Sequence, residues 1–310
     1  MQEHFLSCDW GTSSFRIRLI RTSTLEIIQF EEDAQLGFGQ QSLTPADYLQ
    51  QFEQKTKALC AKARLEKLPC AILSGMASSS IGIKNLPYGK LPLPLNDFHL
   101  PYERLAGLST EAYLISGLST GEDIMRGEEV QVLGAVQKLV EPDQNYLIIL
   151  PGTHSKHVII EQNQLLSFKT YMTGELFSLL QTHSILKHSV HKEKIDLQNP
   201  KVYEAFMHGI QKSSVSLLHE LFTIRARQIL QHTDPLANYA FLSGLLIGSE
   251  LRSIDIAGAG SFIVCADMPM LDLYRFAILK LFPEISLRLV GTREATILGH
   301  HKLLQQIQTI

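Results

Sequence analysis

Twice in this chain a short apolar strand runs into a turn that opens with Gly-Thr and leaves along a second strand. GTSSFRIRLI, beginning at Gly11, lies over GTHSKHVIIE, beginning at Gly152. Phe5 to Cys8 and then Asp9 precede the first turn, and Tyr146 to Leu150 precede the second. Past each turn the order repeats: an exit strand, a further strand (Leu25 to Phe30, Leu165 to Tyr171), then a helical stretch. The same motif at the same place in the same element order predicts a duplicated lobe. A chain of 310 residues exceeds the usual size of one domain, which agrees with two lobes sharing a cleft.

Periodicity fills in the rest. Phe15, Ile17 and Leu19 alternate with Arg16 and Arg18, the pattern of a strand with one face toward solvent. Thr44-Pro45-Ala46-Asp47 combines a capping hydroxyl, a proline at the first helical position and an early carboxylate, so a helix is expected from there to about Lys67. Cys70 to Leu73 reads as a strand, and Gly75 to Pro94, rich in Gly, Ser and Pro, as a long functional loop. In the second half, helices are expected from about Glu175, near Pro200 to Gln231, at Leu236 to Ser253 and from about Arg293. Strands are expected at Phe262 to Ala266 and Ser286 to Val290. Strands alternating with helices indicate an α/β fold with mixed sheets.

Charge narrows the function. A formal net charge of -3 and no basic block leave no electrostatic footprint for nucleic acid or an anionic membrane, and a small-molecule substrate fits better. Cys8, Cys60, Cys70 and Cys265 are scattered without CxxC spacing, which points to a reduced, cytoplasmic protein. Met1 to Leu6 carries Glu3 and no long apolar core, so no signal peptide is expected, and no stretch reaches the ~18 apolar residues of a spanning helix.

A turn offering Gly and Thr can wrap a phosphate, because glycine lets the backbone approach closely while amide and hydroxyl donate to the anion. Two such turns facing each other would clamp a polyphosphate, with Asp9 suited to hold Mg²⁺ through its waters. The blander reading makes Asp9 and both turns ordinary hairpin punctuation. Neither GxxxxGK[ST] nor GxGxxG after a strand occurs. Glu128 and Glu129 open an apolar helix and are candidates for the carboxylate that orients or deprotonates an attacking hydroxyl, although both could simply complement the helix N-terminus. His154 and Lys156 share a face after the second turn and could meet phosphate or a substrate carboxylate, with a surface Lys as the plainer alternative. His183, His188 and His191 lack metal-ligand spacing.

DWGTSSFRIRL, LSGMASSSIG followed by LPYGKLPLPL, IMRGEEVQVLGA, LPGTHSKHV, YMTGELFSLLQTHSIL and FLSGLLIGSEL, in this order from near residue 7 to about 251, resemble the 2-keto-3-deoxygalactonate kinase family. The resemblance implies the actin-like sugar-kinase fold, with two duplicated ribonuclease H-like lobes and a nucleotide cleft between them. It divides the chain into an N-terminal lobe with a substrate loop, 1–140, and a nucleotide-binding C-terminal lobe, 141–310, whose final helix lies near the hinge. It further implies transfer of the ATP γ-phosphate to the 6-hydroxyl of 2-dehydro-3-deoxy-D-galactonate, with Mg²⁺. Asp9, Gly11, Thr12 and Ser13 would form the first phosphate turn, Gly152, Thr153, His154 and Lys156 the second, and Asp9 the metal contact. Ile124 to Gly134 is also similar to the connecting helix of exopolyphosphatases, which makes Glu129 the first choice for base and Glu128 the second. Gly75, Met76, Ser79, Lys84, Arg126, Thr173, Gly174 and Glu175 are carried over as substrate contacts, Arg126 or Lys84 meeting the acid group.

One departure stands out. Where such folds carry a glycine-rich adenosine turn, this chain has Phe262-Ile263-Val264-Cys265-Ala266-Asp267-Met268-Pro269, so either neighbours such as Ser243 and Gly244 hold the nucleotide or ATP binding is weakened. A phosphatase or polyphosphate hydrolase of the same fold, and a non-catalytic sugar-acid sensor, are the alternatives. The oligomeric state is left open, with a homodimer as the candidate.

Overall fold

The structure is a computed structural model that describes residues 2–40, 43–139, 141, 144–255 and 260–309. Met1 and Val140, the limits of the expected N-terminal lobe, lie outside the described residues. In chain order the elements are β1 (His4–Trp10), β2 (Phe15–Arg21), β3 (Ile27–Asp33), α1 (Pro45–Lys62), β4 (Ala71–Gly75), β5 (Gly89–Lys90), β6 (Leu93–Pro94), β7 (Tyr102–Arg104), β8 (Ala112–Ile115), β9 (Leu118–Ser119), β10 (Ile124–Met125) and α2 (Glu128–Leu139). They continue as β11 (Tyr146–Leu150), β12 (Ser155–Glu161), β13 (Gln164–Tyr171), α3 (Thr173–His183), α4 (Pro200–Lys212), α5 (Leu217–Gln231), α6 (Pro235–Leu251), β14 (Ser261–Cys265), α7 (Met270–Leu281), β15 (Ser286–Val290) and α8 (Thr292–Thr309). Contacts group them into two compact units: residues 1–143, 160–168 and 292–310 in the first, 144–159 and 169–291 in the second.

In the first unit the large sheet runs β3-β2-β1-β4-β8-β7, with β1 antiparallel to β2 and parallel to β4. Alternation along β1 and β2 separates the faces as expected. Leu6, Cys8, Trp10, Phe15, Ile17 and Leu19 enter one core with Tyr48 and Phe52 of α1. Trp10 anchors it, its ring 4.7 Å from Phe15 and 4.9 Å from Phe38. Ser7, Asp9 and Ser74 occupy the other face, where His300 of α8 accepts or donates at both ring nitrogens, to Ser7 Oγ at 2.8 Å and Ser74 Oγ at 3.0 Å. Burial, with Arg18 nearby, holds His300 down to a pKa of about 3, so the ring is neutral there.

The second unit repeats the arrangement. Its strands follow the order β13-β12-β11-β14-β15, which matches β3-β2-β1-β4-β8 position for position, and β14 lies parallel to both β11 and β15. The duplicated lobe expected from the Gly-Thr turns is therefore present in the strand topology. Phe206, Phe241, Leu245, Phe262 and Tyr274 lead its core. Residues 160–168, at the tip of the β12–β13 hairpin, belong to the first unit, where Gln164 and Leu165 pair with Pro94 and Leu93 of β6.

Several boundaries moved. α1 starts with the predicted capping box, Thr44 and Asp47 bonding reciprocally, but ends at Lys62 because Arg64 turns into the left-handed region at φ 56 without a glycine to announce it. The stretch from Pro200 to Gln231 is two helices, broken at Ser213 to Ser216. The Gly75 to Pro94 loop holds two short strands, one of which joins β9 and β10 in a small sheet.

Candidate active site

In the first unit the site is built where β1, β4 and α2 end or begin. Gly11 N donates to Ser14 O at 2.9 Å, closing the first turn, and Gly39 N donates to Thr12 O at 2.8 Å from behind. A Cβ on Gly37 would sit 2.5 Å from Thr12 O, so Gly37 and Gly39 buttress the turn by close approach. Thr12 and Ser13 are left exposed. Asp9, with its side chain 17% exposed, accepts from Arg16 Nη1 at 3.2 Å at one oxygen. Burial and the charge of Glu128 raise its pKa, against Arg16 and Arg18.

Asp9 and Glu128 are thus electrostatic neighbours, and the reason is a glycine pair. Gly75, at φ 93, ends β4 with its Cβ position 2.7 Å from Trp10 O. Gly127, at φ 109, precedes α2, its Cβ position 3.2 Å from Gly75 Cα. The two acidic residues then behave differently. Glu129 is fully buried and accepts from Gly127 N at both oxygens, 2.9 and 2.7 Å. Burial first, then Glu128, push its pKa up to about 8. Glu128 is only half-buried and accepts from Arg126 N at 3.0 Å.

Arg126 itself is turned toward the loop. Its guanidinium donates to Ser78 O, to Ser78 Oγ at 2.7 Å and to Leu86 O at 3.3 Å, and stacks 4.1 Å from the Tyr88 ring. Its fork is engaged by protein, so Arg126 ties the loop to α2. Ser79 Oγ donates to Met76 O at 2.7 Å beside a partly buried Met76, and Lys84 pairs with Glu103 on the surface.

In the second unit the turn after β11 leaves Gly152, Thr153 and His154 exposed. Gly174 packs against it, its Cβ position 2.4 Å from Gly152 O, and Glu175 N donates to Thr153 O at 2.9 Å. His154 Nε2 lies 2.5 Å from Glu175 Oε2. Lys156 is not a surface lysine: it is 4% exposed and donates to His154 O at 3.0 Å. A cavity of about 400 Å³ opens beside this turn, lined by Gly152, Thr153, Thr173 and Gly174 at one end and by Phe177, Tyr239, Leu246, Met270 and Leu273 along its walls. Ser243 and Pro269 line it too. Gly244 does not: its Cβ position is 2.1 Å from Phe206 O, so it serves the contact of α6 with α4. Of the bulkier segment ending at Pro269, only Pro269 itself borders the cavity.

The family model described as 2-keto-3-deoxy-galactonokinase matches residues 9–303. The chain belongs to that family. Among relatives, the 2-dehydro-3-deoxygalactonokinase of Escherichia coli (strain K12) is 30% identical over 82% of this chain and 81% of its own. The Probable 2-dehydro-3-deoxygalactonokinase DgoK1 of Rhizobium meliloti (strain 1021) is 29% identical over 83% and 82%. A crystal structure of a candidate 2-dehydro-3-deoxygalactonokinase protein from Sinorhizobium meliloti superimposes with a TM-score of 0.83 at 26% identity, covering 99% of this chain and 97% of that one.

Membership of a kinase family implies a nucleotide, and the residues present fit one. Gly11 and Gly152 are the two turn glycines that the protein's own packing does not require. A Cβ on Gly152 would meet nothing within 4 Å, and one on Gly11 only Ser14 O at 3.8 Å. Neither has a positive φ. The free space lies over backbone that a phosphate would approach. For Mg²⁺ the fit is limited to a carboxylate that could bind through waters, since no cluster of three or more His, Cys, Asp or Glu exists among the described residues. No helix among them is long and apolar enough to cross a membrane, and none of the four cysteines forms a disulfide.

Sequence reasoning missed Gly37, Gly39 and Gly127, which shape turns from a distance, and Glu250, which joins three of the motif blocks. Only the GFG spelling at Gly37 to Gly39 carried a local signal.

Proposed function

We propose that the chain transfers the γ-phosphate of ATP to the 6-hydroxyl of 2-dehydro-3-deoxy-D-galactonate. The observation that carries this reading is membership of the galactonokinase family across residues 9–303. The 400 Å³ cavity ending at Gly152 and Thr153 supports it, because apolar walls with a few polar groups at one end suit a nucleoside and its phosphates. Tyr239, Leu246 and Leu273 would flank the base, with Ser243 replacing the glycine-rich turn. The 1–140 and 141–310 division would be the functional one even though 160–168 and α8 pack in the first unit, with the sugar acid served mainly by the loop after Gly75.

The chemistry asked of the protein is positioning and charge stabilisation. Gly11, Thr12, Gly152 and Thr153 present amides and hydroxyls to phosphate oxygens, and Lys156 lies close behind the second turn. Asp9 would orient the waters of Mg²⁺, which when bound offsets phosphate charge. For the base, the geometry favours Glu128 over Glu129. A carboxyl buried at zero exposure with a pKa pushed up to about 8 is largely protonated near neutrality, whereas Glu128 is only half-buried and lies beside Asp9.

An assay with ATP and 2-dehydro-3-deoxy-D-galactonate, read by coupled ADP release, separates the readings. ADP formed only with both substrates is expected. ADP without acceptor would mean a hydrolase, and sugar-acid binding without ADP a sensor.

A further inference from the structure

Glu250 sits on α6 beyond the stretch that lines the cavity, and it is buried. Its two oxygens collect four donors. Oε1 accepts from Ser155 Oγ at 2.7 Å and His157 Nε2 at 2.8 Å, and Oε2 accepts from Tyr274 Oη at 2.7 Å and from Thr173 Oγ1. The donors come from three elements, Ser155 and His157 from β12, Thr173 from α3 and Tyr274 from α7. Ser155 is the first residue after the Gly152–His154 turn. Thr173 opens α3, whose next residue, Gly174, lies against that turn. Tyr274 of α7 lines the cavity, as Thr173 does.

Burial alone would drive this carboxylate toward its neutral form, yet the contact with His157 and the hydroxyl donors bring its pKa below the ordinary value. It stays an anion in a dry place. Such an arrangement is a poor way to gain stability, because apolar residues of similar volume commonly pack as well or better. What it does provide is directional: each of the four donors is held by a charge-assisted bond in one geometry.

Resting on the nucleotide reading given above, we propose that Glu250 is a positioning residue for the phosphates. It fixes Ser155 and Thr173, and through them the Gly152–Thr153 turn and the start of α3, in the arrangement that receives the nucleotide. Two features separate this role from plain packing. Two of its partners, Thr173 and Tyr274, line the cavity and a third, Ser155, follows the turn at its phosphate end, and these three donate hydroxyls that would otherwise be free to rotate.

The test compares wild type, Glu250→Gln and Tyr274→Phe by calorimetric MgATP binding and by steady-state kinetics with the sugar acid. Glu250→Gln is expected to raise the Kd and KM for MgATP at least ~10-fold while the KM for the sugar acid stays within about 2-fold. Tyr274→Phe, which removes one donor and keeps the carboxylate, is expected to give a smaller shift in the same direction, about 3-fold. A purely structural role would instead lower kcat with the folded fraction and leave the KM for MgATP alone, overturning the proposal. Equal MgATP Kd in wild type and variants overturns it as well. A wild type that binds no MgATP overturns the nucleotide reading itself. Should Glu250→Gln fail to fold, Tyr274→Phe decides by the same criteria.

Discussion

A methyl group added at Gly152 would meet no atom within 4 Å, whereas one at Gly174 would lie 2.4 Å from Gly152 O. The same substitution therefore tests two different things. Gly152→Ala is expected to leave unfolding free energy within about 0.5 kcal/mol of wild type. It should raise the KM for MgATP at least ~10-fold by filling space that the phosphate needs. Gly174→Ala should lose stability by roughly 1–3 kcal/mol in denaturant titration, since backbone has to move. The two glutamates of α2 separate by pH. With its pKa raised from 4.5 to about 8, Glu129 holds a proton in the folded state that the unfolded chain releases, so its contribution is complete below pH 4.5 and is lost as pH rises to about 8. The slope is about 1.4 kcal/mol per pH unit across that window. Glu129→Gln, always neutral, should remove this slope and become increasingly more stable relative to wild type up to pH 8. Glu128→Gln should instead cut kcat by at least ~10²-fold with MgATP binding nearly intact. His300 slopes the opposite way: its depressed pKa contributes stability present above 6.5 and lost as pH falls toward about 3.

Elements in this chain were legible where their signals are local. Tyr146 to Leu150 and Ser286 to Val290 are strands with the expected limits, because an unbroken apolar or alternating run between polar turns reports itself. Thr44 and Asp47 announced α1 for the same reason. The two Gly-Thr turns could be found because they are contiguous and repeated. What could not be read depends on partners far along the chain. Gly37 shapes the turn at Thr12 across a loop, and Glu250 meets Ser155, His157, Thr173 and Tyr274 only after four elements have packed. Gly134 and Gly299 are where α2 and α8 touch. A Cβ on Gly134 would fall 1.9 Å from Ala295 O, and one on Gly299 2.0 Å from Val130 O. Gly134→Ala is accordingly expected to destabilise by about 1–3 kcal/mol or more. Guanidinium unfolding monitored by circular dichroism would measure it, and an unchanged midpoint would contradict so close a helix contact.

For the whole molecule, the occupied cavity should be visible in stability. MgATP at about 100 times its Kd ought to add ~2.7 kcal/mol if it binds the folded chain alone, raising the melting temperature. The same titration with Gly152→Ala should give a smaller rise at equal concentration. The grouping of α8 with the first unit bears on when that unit can exist at all. His300, which ties β1 to β4, and Gly299, which seats α2, lie in α8, which is made after the second unit. On a ribosome the first strands emerge with their polar face still uncovered, and they must wait through the synthesis of the whole second unit for their lid. The first strands thus stay incomplete until α8 has been made, and the synthesis of α8, rather than that of β1, is the moment the Asp9 sheet becomes covered.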